Sequence, residues 1–244
     1  MRIYVANKLK KRWSPELIAG RLNKEMPRHR TNYESIYKYI YEDHPEYIKY
    51  LVRRNRIRKR RGQGKSHKSS HIPYRISIDK RPKIVAKRVR FGDWETDTAV
   101  SRQSKSAMLI GAERKSRYIE LKKLRRNGPA ENNKKTIMIL KKYPKRYRLT
   151  ITRDNGKENV WHQEVNKKLG TKSYFTNPYH SWEKGLVENR IGVVRIWLPK
   201  KTDFAKVSTT KLKRIQNLIN DRPMKVLKFK TPKEVFCRKT GCCT

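Results

Sequence analysis

Three acidic residues stand out in a chain that carries 64 Lys and Arg against only 21 Asp and Glu. Asp97 lies inside one predicted strand, Asp154 ends another directly before an Asn-Gly pair, and Glu188 lies on a predicted helix. Carboxylates placed in this way can meet at one edge of a sheet, where their repulsion would destabilise the site unless cations neutralised it. Magnesium ions bind few protein carboxylates and complete their coordination with water and phosphate oxygens. The pattern therefore predicts phosphoryl-transfer chemistry with two divalent metal ions.

The formal net charge of +43 over 244 residues indicates a polyanionic partner, because screening over ~8 Å at physiological salt cannot hide charge of this density. Nucleic acid is favoured over a membrane, since the sequence has no run of about 20 apolar residues, no signal peptide and no lipidation motif. It also has no Gly-rich phosphate loop, so no nucleotide cofactor is expected. The three cysteines lie together near the C-terminal end rather than in a disulfide framework, which favours a cytoplasmic location.

The elements that would position the three acids follow from the hydrophobic periodicity after about residue 84. The patterns predict an α/β fold, with a mixed five-stranded sheet and helices on its faces. The predicted strands are "FGDWETDTAV", "AMLIGAE", "RYIELKKL", "RYRLTITRD" and "KSYFT". The predicted helices are Pro129 to Lys142, "ENVWHQEVNKKLG" and "WEKGLVENRIGVVRIWL". The Asn155-Gly156 pair predicts a tight turn with positive φ that projects Asp154 at the sheet edge, although the same pattern occurs in many ordinary turns.

Two short helices are predicted near the N-terminus, one in residues 13–22 and one in residues 31–41. The first has Ser14 as N-cap and Pro15 at its first position, and the second has Thr31 and Glu34 as a capping box. With the basic connector between them, they indicate a helix-turn-helix whose second helix would enter a DNA major groove. The alternative, two packed helices without a recognition role, stays open on pattern alone.

Residues 53–68 are almost entirely basic or polar and contain nothing that could form a core. They are interpreted as an interdomain linker, either a passive tether or a segment that contacts phosphates. The predicted organisation is therefore a helix-turn-helix region over residues 1–50, a basic linker over 51–82 and a catalytic domain over 83–244.

An ordered set of motifs resembles the transposases of the insertion-sequence-thirty family, over residues 13–236. No single motif would suffice, and the specificity lies in their common order. The motifs are "WSPELIAGRL", "ESIYKYIY", "GDWETD", "ERKSRYIEL", "TRDNGKE", "YFTNPYHSWEKGLVEN", "LPKKTDF" and "LINDRPMKVLKFKTPKEVF". The family belongs to the DDE group, which has an RNase H-like core of the retroviral-integrase type.

The resemblance implies a bacterial, nucleoid-associated DNA transposase. Such an enzyme would hydrolyse phosphodiesters at transposon ends and carry out strand transfer, using two Mg²⁺ ions for which Mn²⁺ would substitute. Its partners would be double-stranded DNA, at the transposon ends and at the target, and further copies of itself. Neither a membrane nor a nucleotide cofactor is expected.

The resemblance also assigns residues. The first catalytic and metal-binding acid falls on Asp97, the second on Asp154 and the third on Glu188, with a spacing similar to that of the family. Nearby acids compete for these roles, but the motif register gives structural or capping roles to Asp93, Glu95, Glu158 and Glu183. Expected DNA contacts are Tyr33, Arg58, Arg60, Trp182, Lys184, Asn189 and Arg195.

Two departures from the family pattern lie close to these acids. Asp93 stands where family members usually have His, and Val187 stands where they usually have Asn. The chain also begins close to the second of the two helix-turn-helix regions of the family. This keeps open a truncated, catalytically silent DNA-binding protein. A ribosomal-type RNA-binding protein and an RNase H-like nuclease are further alternatives.

Overall fold

The computed structural model describes residues 1–52, 72–178 and 180–241; for Ser181 and Trp182 it describes the backbone alone. The chain forms two compact units. Unit 1 comprises Met1–Ser66 and Asp221–Val235, and unit 2 comprises His67–Asn220 and Phe236–Thr244. The predicted boundaries near residues 50 and 82 stay predictions. Among the described residues, no helix is both long enough and apolar enough to cross a membrane.

Unit 1 contains the two helices predicted near the N-terminus, preceded by a further helix. These are α1 (Arg2–Lys10), α2 (Pro15–Glu25) and α3 (Tyr33–Lys38), the last continuing into a π-helical turn over Tyr39–Asp43. Their core consists of buried apolar side chains: Val5, Leu9, Trp13, Ile18, Ala19, Ile36, Ile40 and Leu51. The amphipathic spacing read from the sequence therefore identified the faces that pack together.

The predicted capping box of α3 is wrong. The N-cap is Asn32, whose side chain accepts a hydrogen bond of 2.7 Å from the backbone N–H of Ser35. Asn satisfies a free N–H of the first helical turn as well as Thr does, so the sequence allowed either start. At α2 the N-cap is Ser14, as predicted, but its side chain makes no capping hydrogen bond.

Asp221–Val235 joins unit 1 through specific contacts with α2. Arg21 donates a hydrogen bond of 2.8 Å to Glu234 and one of 3.1 Å to the Phe229 carbonyl oxygen. The ring of Phe229 lies against Gly20. A Cβ atom added to Gly20 would lie 2.1 Å from that ring. These contacts link parts of the chain that are far apart in sequence, so local patterns could not predict them.

Unit 2 is built on a mixed five-stranded sheet. Its strands are β1 (Asp93–Val100), β2 (Ala107–Glu113), β3 (Ile119–Leu124), β4 (Thr150–Arg153) and β5 (Lys172–Phe175). Their order is β3-β2-β1-β4-β5. The β1–β2 and β2–β3 pairs are antiparallel, and the β1–β4 and β4–β5 pairs are parallel. This topology confirms the predicted RNase H-like α/β fold.

In the part of the chain that the structure describes, six further α-helices follow residue 72. They are α4 (Lys83–Lys87), α5 (Pro129–Lys141), α6 (His162–Leu169), α7 (Gly185–Trp197), α8 (Thr209–Asn220) and α9 (Pro232–Thr240). The sequence predicted α5, α6 and α7 but not α4, α8 or α9. Helix α6 ends at Leu169, and its C-cap Gly170 has φ of +65°, a left-handed conformation that favours glycine.

Alternation along the strands separates two cores on opposite faces of the sheet. One core packs under α7 and α8 and includes Ile110, Leu121, Val187, Val194 and Ile215. The other lies on the side of α5 and α6 and includes Trp94, Leu109, Ile139, Tyr143 and Phe236. Because Trp94 points into the second core, its neighbours Asp93 and Glu95 and the next alternate residue, Asp97, point to the other face.

Helix α8 covers the backbone of the edge strand β3. The buried Asn220 side chain both accepts a hydrogen bond from the Ile119 N–H and donates one to the Ile119 carbonyl, each 2.9 Å long. One turn earlier, the buried Gln216 accepts a hydrogen bond of 2.8 Å from the Leu121 N–H. The side chains of Gln216 and Asn220 thus form hydrogen bonds with backbone groups of β3 that could otherwise pair with another strand.

Gly92 directly precedes β1, at a position where the backbone leaves little room for a side chain. Its φ is +97°, and an added Cβ would lie 2.9 Å from the Arg146 carbonyl oxygen. We expect Gly92→Ala to lower the free energy of unfolding by about 2–3 kcal/mol, through backbone strain and this contact. Gly192 is exposed within α7, and a Cβ added there would meet no neighbouring group within 4 Å. Gly192→Ala should therefore raise the free energy of unfolding by about 0.5–1 kcal/mol. Urea unfolding measures both, and equal effects would contradict the prediction.

Candidate active site

The structure brings Asp97 and Asp154 together. Asp97 lies on β1 and Asp154 directly follows β4, which pairs with β1 in parallel. The ammonium group of Lys184 lies 3.2 Å from Asp97 Oδ1 and 3.2 Å from Asp154 Oδ2. Lys184 itself is only 4% exposed. The two acids therefore share the buried ammonium group of Lys184, near the carboxyl end of β4.

The electrostatics of this pair reflect burial and like charge. Burial raises the pKa of Asp97, and the repulsion of Asp154 adds to it, while Lys184 opposes both. For Lys184, burial acts to lower the pKa, but the two carboxylates outweigh it and raise the pKa above its usual value. Asp97 and Asp154 hold Lys184 in its charged form, and the ammonium group in turn stabilises the acid pair.

A third carboxyl group lies within electrostatic range of the pair. Burial raises the pKa of Glu158, and the charges of Asp154 and Asp97 raise it further. Its carboxylate folds back over Gly156, where an added Cβ would lie 2.6 Å from Glu158 Oε2. The sequence assigned Glu158 a structural or capping role, and its closeness to both aspartates was not anticipated.

The turn after β4 holds Asp154 without the positive φ that the Asn-Gly pair predicted. Gly156 has φ of −69°, so that prediction is wrong. Instead, Asp154 Oδ1 accepts a hydrogen bond of 3.3 Å from the Gly156 N–H and one of 2.8 Å from the Asn159 amide. An aspartate that bonds the backbone two residues on forms a turn by itself, so no unusual backbone angle is needed. A side chain at position 156 would have to displace the Glu158 carboxylate.

Asn159 links Asp154 to a buried guanidinium. Its side-chain oxygen accepts a hydrogen bond of 2.9 Å from Arg153 Nη1, while its amide group donates to Asp154. The arrangement fixes the orientation of the amide, because only its oxygen can face the arginine. Sequence reasoning missed Asn159, although its position shortly after Asp154 in the "TRDNGKEN" stretch was a usable signal.

Glu95 fixes the start of α7 to β1. Its carboxylate pairs with Arg114, and both side chains are buried. The second oxygen of Glu95 accepts a hydrogen bond of 3.0 Å from the backbone N–H of Val187. Because Val187 directly precedes Glu188, this contact sets the position of the first turn of α7 relative to Asp97.

Glu188 lies on that first turn and is exposed. Within the described ranges, no group of three or more His, Cys, Asp and Glu side chains is arranged to hold a metal ion. The structure thus gathers Asp97 and Asp154 around Lys184, but it does not gather all three predicted acids into one metal-binding cluster. The role of Glu188 stays a prediction.

Like Glu95, the competing acids Asp93 and Glu183 have partners within the fold. Asp93 is buried, forms a salt bridge of 2.8 Å with Arg90 and accepts a hydrogen bond of 2.7 Å from Thr150 Oγ1. Glu183 accepts a hydrogen bond of 2.7 Å from the backbone N–H of Asn177.

The residues expected to contact DNA differ in their surroundings. Tyr33 on α3 and Asn189 on α7 are exposed. Lys184 is buried between the two aspartates, and Arg195 lies over the ring of Phe204 at 5.0 Å. Arg58 and Arg60 lie outside the described residues, as does the side chain of Trp182. All of these contacts stay predictions.

Comparison with known proteins gives the family. No family model matches the chain. It is 40% identical, over 97% of its length, to the transposase for insertion sequence element IS4351 of Bacteroides fragilis, of which it covers 72%. It is 34% identical, over 98% of its length, to the transposase InsI for insertion sequence element IS30A of Escherichia coli strain K12, of which it covers 64%. The chain belongs to the insertion-sequence-thirty family of transposases.

The chain spans about two thirds to three quarters of the length of these two relatives. Among solved structures, it is similar to the catalytic core domain of BIV integrase, with a TM-score of 0.48 and 18% identity. That alignment covers 60% of this chain and 94% of the integrase chain.

Glu95→Gln tests how strongly the buried ion pair supports this site. The substitution leaves the Arg114 guanidinium buried without its counter-ion, so we expect a loss of about 3–5 kcal/mol in the free energy of unfolding. Glu16→Gln is the matched control, because it breaks an exposed ion pair with Lys225 and should cost less than about 1 kcal/mol. Chemical unfolding compares the two, and similar losses would show that Glu95 is not structurally important.

Proposed function

We propose that this protein is a DNA transposase that uses divalent metal ions for phosphodiester hydrolysis at transposon ends and for strand transfer. The observation that carries the proposal is the convergence of Asp97, on β1, and Asp154, directly after the parallel strand β4, on the ammonium group of Lys184. Membership in a family of transposases supports the same activity. Binding to double-stranded DNA would follow from the net charge of +43.

The acid pair fits a divalent ion by the chemistry of its donors. Asp97 and Asp154 already hold a cation between two carboxylate oxygens, and hard oxygen donors of this kind suit Mg²⁺ and Mn²⁺. Glu188 on α7 is the proposed third ligand. When bound, the two ions supply activation of water and neutralisation of charge on the phosphate.

The remaining roles belong to the residues of the chain. Asp97 and Asp154 would bind the metal ions. Asn159 orients Asp154, and Glu95 holds the start of α7 in place. Burial of Asp97 strengthens its interaction with any cation, because the local dielectric constant is low. Asp97 and Asp154 are thus held in place before DNA binds, so these two proposed ligands need little rearrangement when charge develops on the phosphate.

Two reactions are proposed at this site. Hydrolysis of one phosphodiester leaves a 3′-hydroxyl at the transposon end. That hydroxyl then attacks a target phosphodiester, forming the new ester bond and releasing the 3′-hydroxyl of the target strand. No protein–DNA ester is formed, so no nucleophilic side chain is required.

DNA would be held by the basic surface together with the individual contacts proposed from the sequence. Tyr33 on α3 is exposed and available for a groove or backbone contact, and Asn189 is exposed next to the proposed third ligand. Arg58, Arg60, Trp182, Lys184 and Arg195 complete the proposed set. Since two transposon ends must be held together, a homo-oligomer on DNA is part of the proposal, as is a cytoplasmic, nucleoid-associated location.

Strand cleavage of labelled transposon-end DNA in Mg²⁺ tests the chemistry. We expect Asp97→Asn and Asp154→Asn each to lower the cleavage rate at least about 100-fold, since each removes a ligand that stabilises transition-state charge. Glu164→Gln is the matched control, because Glu164 is exposed on α6, and its rate should match the wild type. Gel shifts should show that all three variants still bind DNA.

Other outcomes have defined meanings. Cleavage by Asp97→Asn at the wild-type rate would overturn the proposal. Specific binding of end DNA with no cleavage by the wild type, in Mg²⁺ or Mn²⁺, would instead identify a catalytically silent DNA-binding protein. Glu188→Gln separately tests the third ligand, and an unchanged rate would exclude that assignment without affecting the other two.

A further inference from the structure

Lys184 occupies an unusual position for a basic residue in a chain with 64 of them. Most lysines keep the ammonium group in water, whereas Lys184 is 4% exposed and lies 3.2 Å from one oxygen of each aspartate. Its ammonium group stands between the two oxygens that would hold a divalent ion. It is therefore positioned as a counter-ion of the acid pair.

The acid pair needs such a counter-ion. Two carboxylates near each other in a region of low dielectric constant repel strongly when both are ionised. Glu158 adds a third carboxyl whose pKa the two aspartates influence. An ammonium group relieves the repulsion, but it carries one charge, whereas a bound divalent ion carries two.

The ammonium group and a divalent ion cannot share this position. Magnesium binds oxygen at about 2.0–2.1 Å, and the same two oxygens already lie 3.2 Å from Lys184 Nζ. An ion placed between them would lie against the ammonium group with like charge. The lysine side chain is flexible along four carbons, so it can leave without moving the backbone.

We propose that Lys184 is a built-in counter-ion that exchanges with the divalent ion at Asp97 and Asp154. The lysine holds the acid pair together when no metal is bound, and metal binding displaces its ammonium group from the pair. The inference rests on the proposed function, because it concerns the same two ligands.

An ordinary structural salt bridge would behave differently. If Lys184 only stabilised the fold, its replacement would lower stability equally with and without divalent ions, and metal affinity would not rise. Exchange predicts instead that replacement lowers stability without metal and strengthens metal binding, because the competitor is gone. The two effects have opposite signs, which separates the two roles.

Lys184→Met tests the exchange, since Met keeps an unbranched side chain that is one atom shorter and removes the charge. Mn²⁺ binding to the full chain without DNA is measured by electron paramagnetic resonance of the free ion. We expect about tenfold tighter binding, the factor that applies if Lys184 occupies the site in about nine of ten wild-type molecules. Thermal unfolding without metal should occur at a lower temperature than in the wild type, and Mn²⁺ should diminish this difference.

Lys200→Met is the matched control, because Lys200 is exposed and the variant loses the same charge. It should bind Mn²⁺ as the wild type does. Unchanged or weaker Mn²⁺ binding by Lys184→Met would overturn the proposal, and so would equally tighter binding by Lys200→Met, which would indicate an effect of overall charge.

A measurement on the wild type keeps the proposal testable if Lys184→Met does not fold. A buried, hydrogen-bonded ammonium group exchanges its protons slowly enough to give a lysine ¹⁵Nζ resonance. Addition of Mg²⁺ should remove or shift the Lys184 resonance as the group moves into water. A resonance that is unchanged at saturating Mg²⁺ would overturn the exchange.

The outcomes distinguish this inference from the proposed function. Cleavage that depends on Asp97 and Asp154, together with no change in metal affinity for Lys184→Met, would leave the transposase and remove the exchange. Metal exchange at Lys184 without any cleavage of end DNA would support the exchange and contradict the proposed transposase activity. Absence of Mn²⁺ binding by the wild type would remove both.

Discussion

The parallel pairing of β1 with β4 is the constraint on which the candidate site depends. It places Asp97 and Asp154 at the same edge of the sheet, although they lie far apart in the sequence. Bringing two carboxylates together is unfavourable unless a positive charge compensates. The fold supplies that charge from Lys184, directly before α7. Strand pairing, helix placement and electrostatics are therefore linked at one point.

Buried charges outside the acid pair hold this geometry in place. Glu95 and Arg114 form an ion pair in the interior, and the free oxygen of Glu95 binds the backbone at the start of α7. Such pairs give little net stability compared with apolar packing, but they strongly penalise arrangements that leave one partner alone. The pair therefore disfavours positions of α7 against β1 in which the Glu95 or Arg114 charge is left without its partner.

Much of the fold was readable from local patterns. Alternating and β-branched stretches identified all five strands, and amphipathic spacing identified α2, α5, α6 and α7. Helix α8 also has its apolar residues Leu212, Ile215 and Ile219 at helical spacing, yet its contribution to β3 depends on two amide side chains. That contribution was not readable, because the hydrogen bonds of Gln216 and Asn220 join strand and helix across about 100 residues of sequence. The cap of α3 was misplaced because neighbouring residues compete for one role at nearly equal free energy.

The sequence by itself determined the charge, the five strands with the helices α5, α6 and α7 between and after them, and the two aspartates that meet in the sheet, since each depends on residue type or on spacing along the chain. Only the tertiary structure decided the partners of those aspartates. Lys184 was expected to contact DNA but lies between them, Asn159 orients one of them, and Asp154 forms its turn without positive φ. The physical reason is that burial and ion pairing are properties of neighbours in space. A charged side chain has the same appearance in a sequence whether it faces water or two carboxylates.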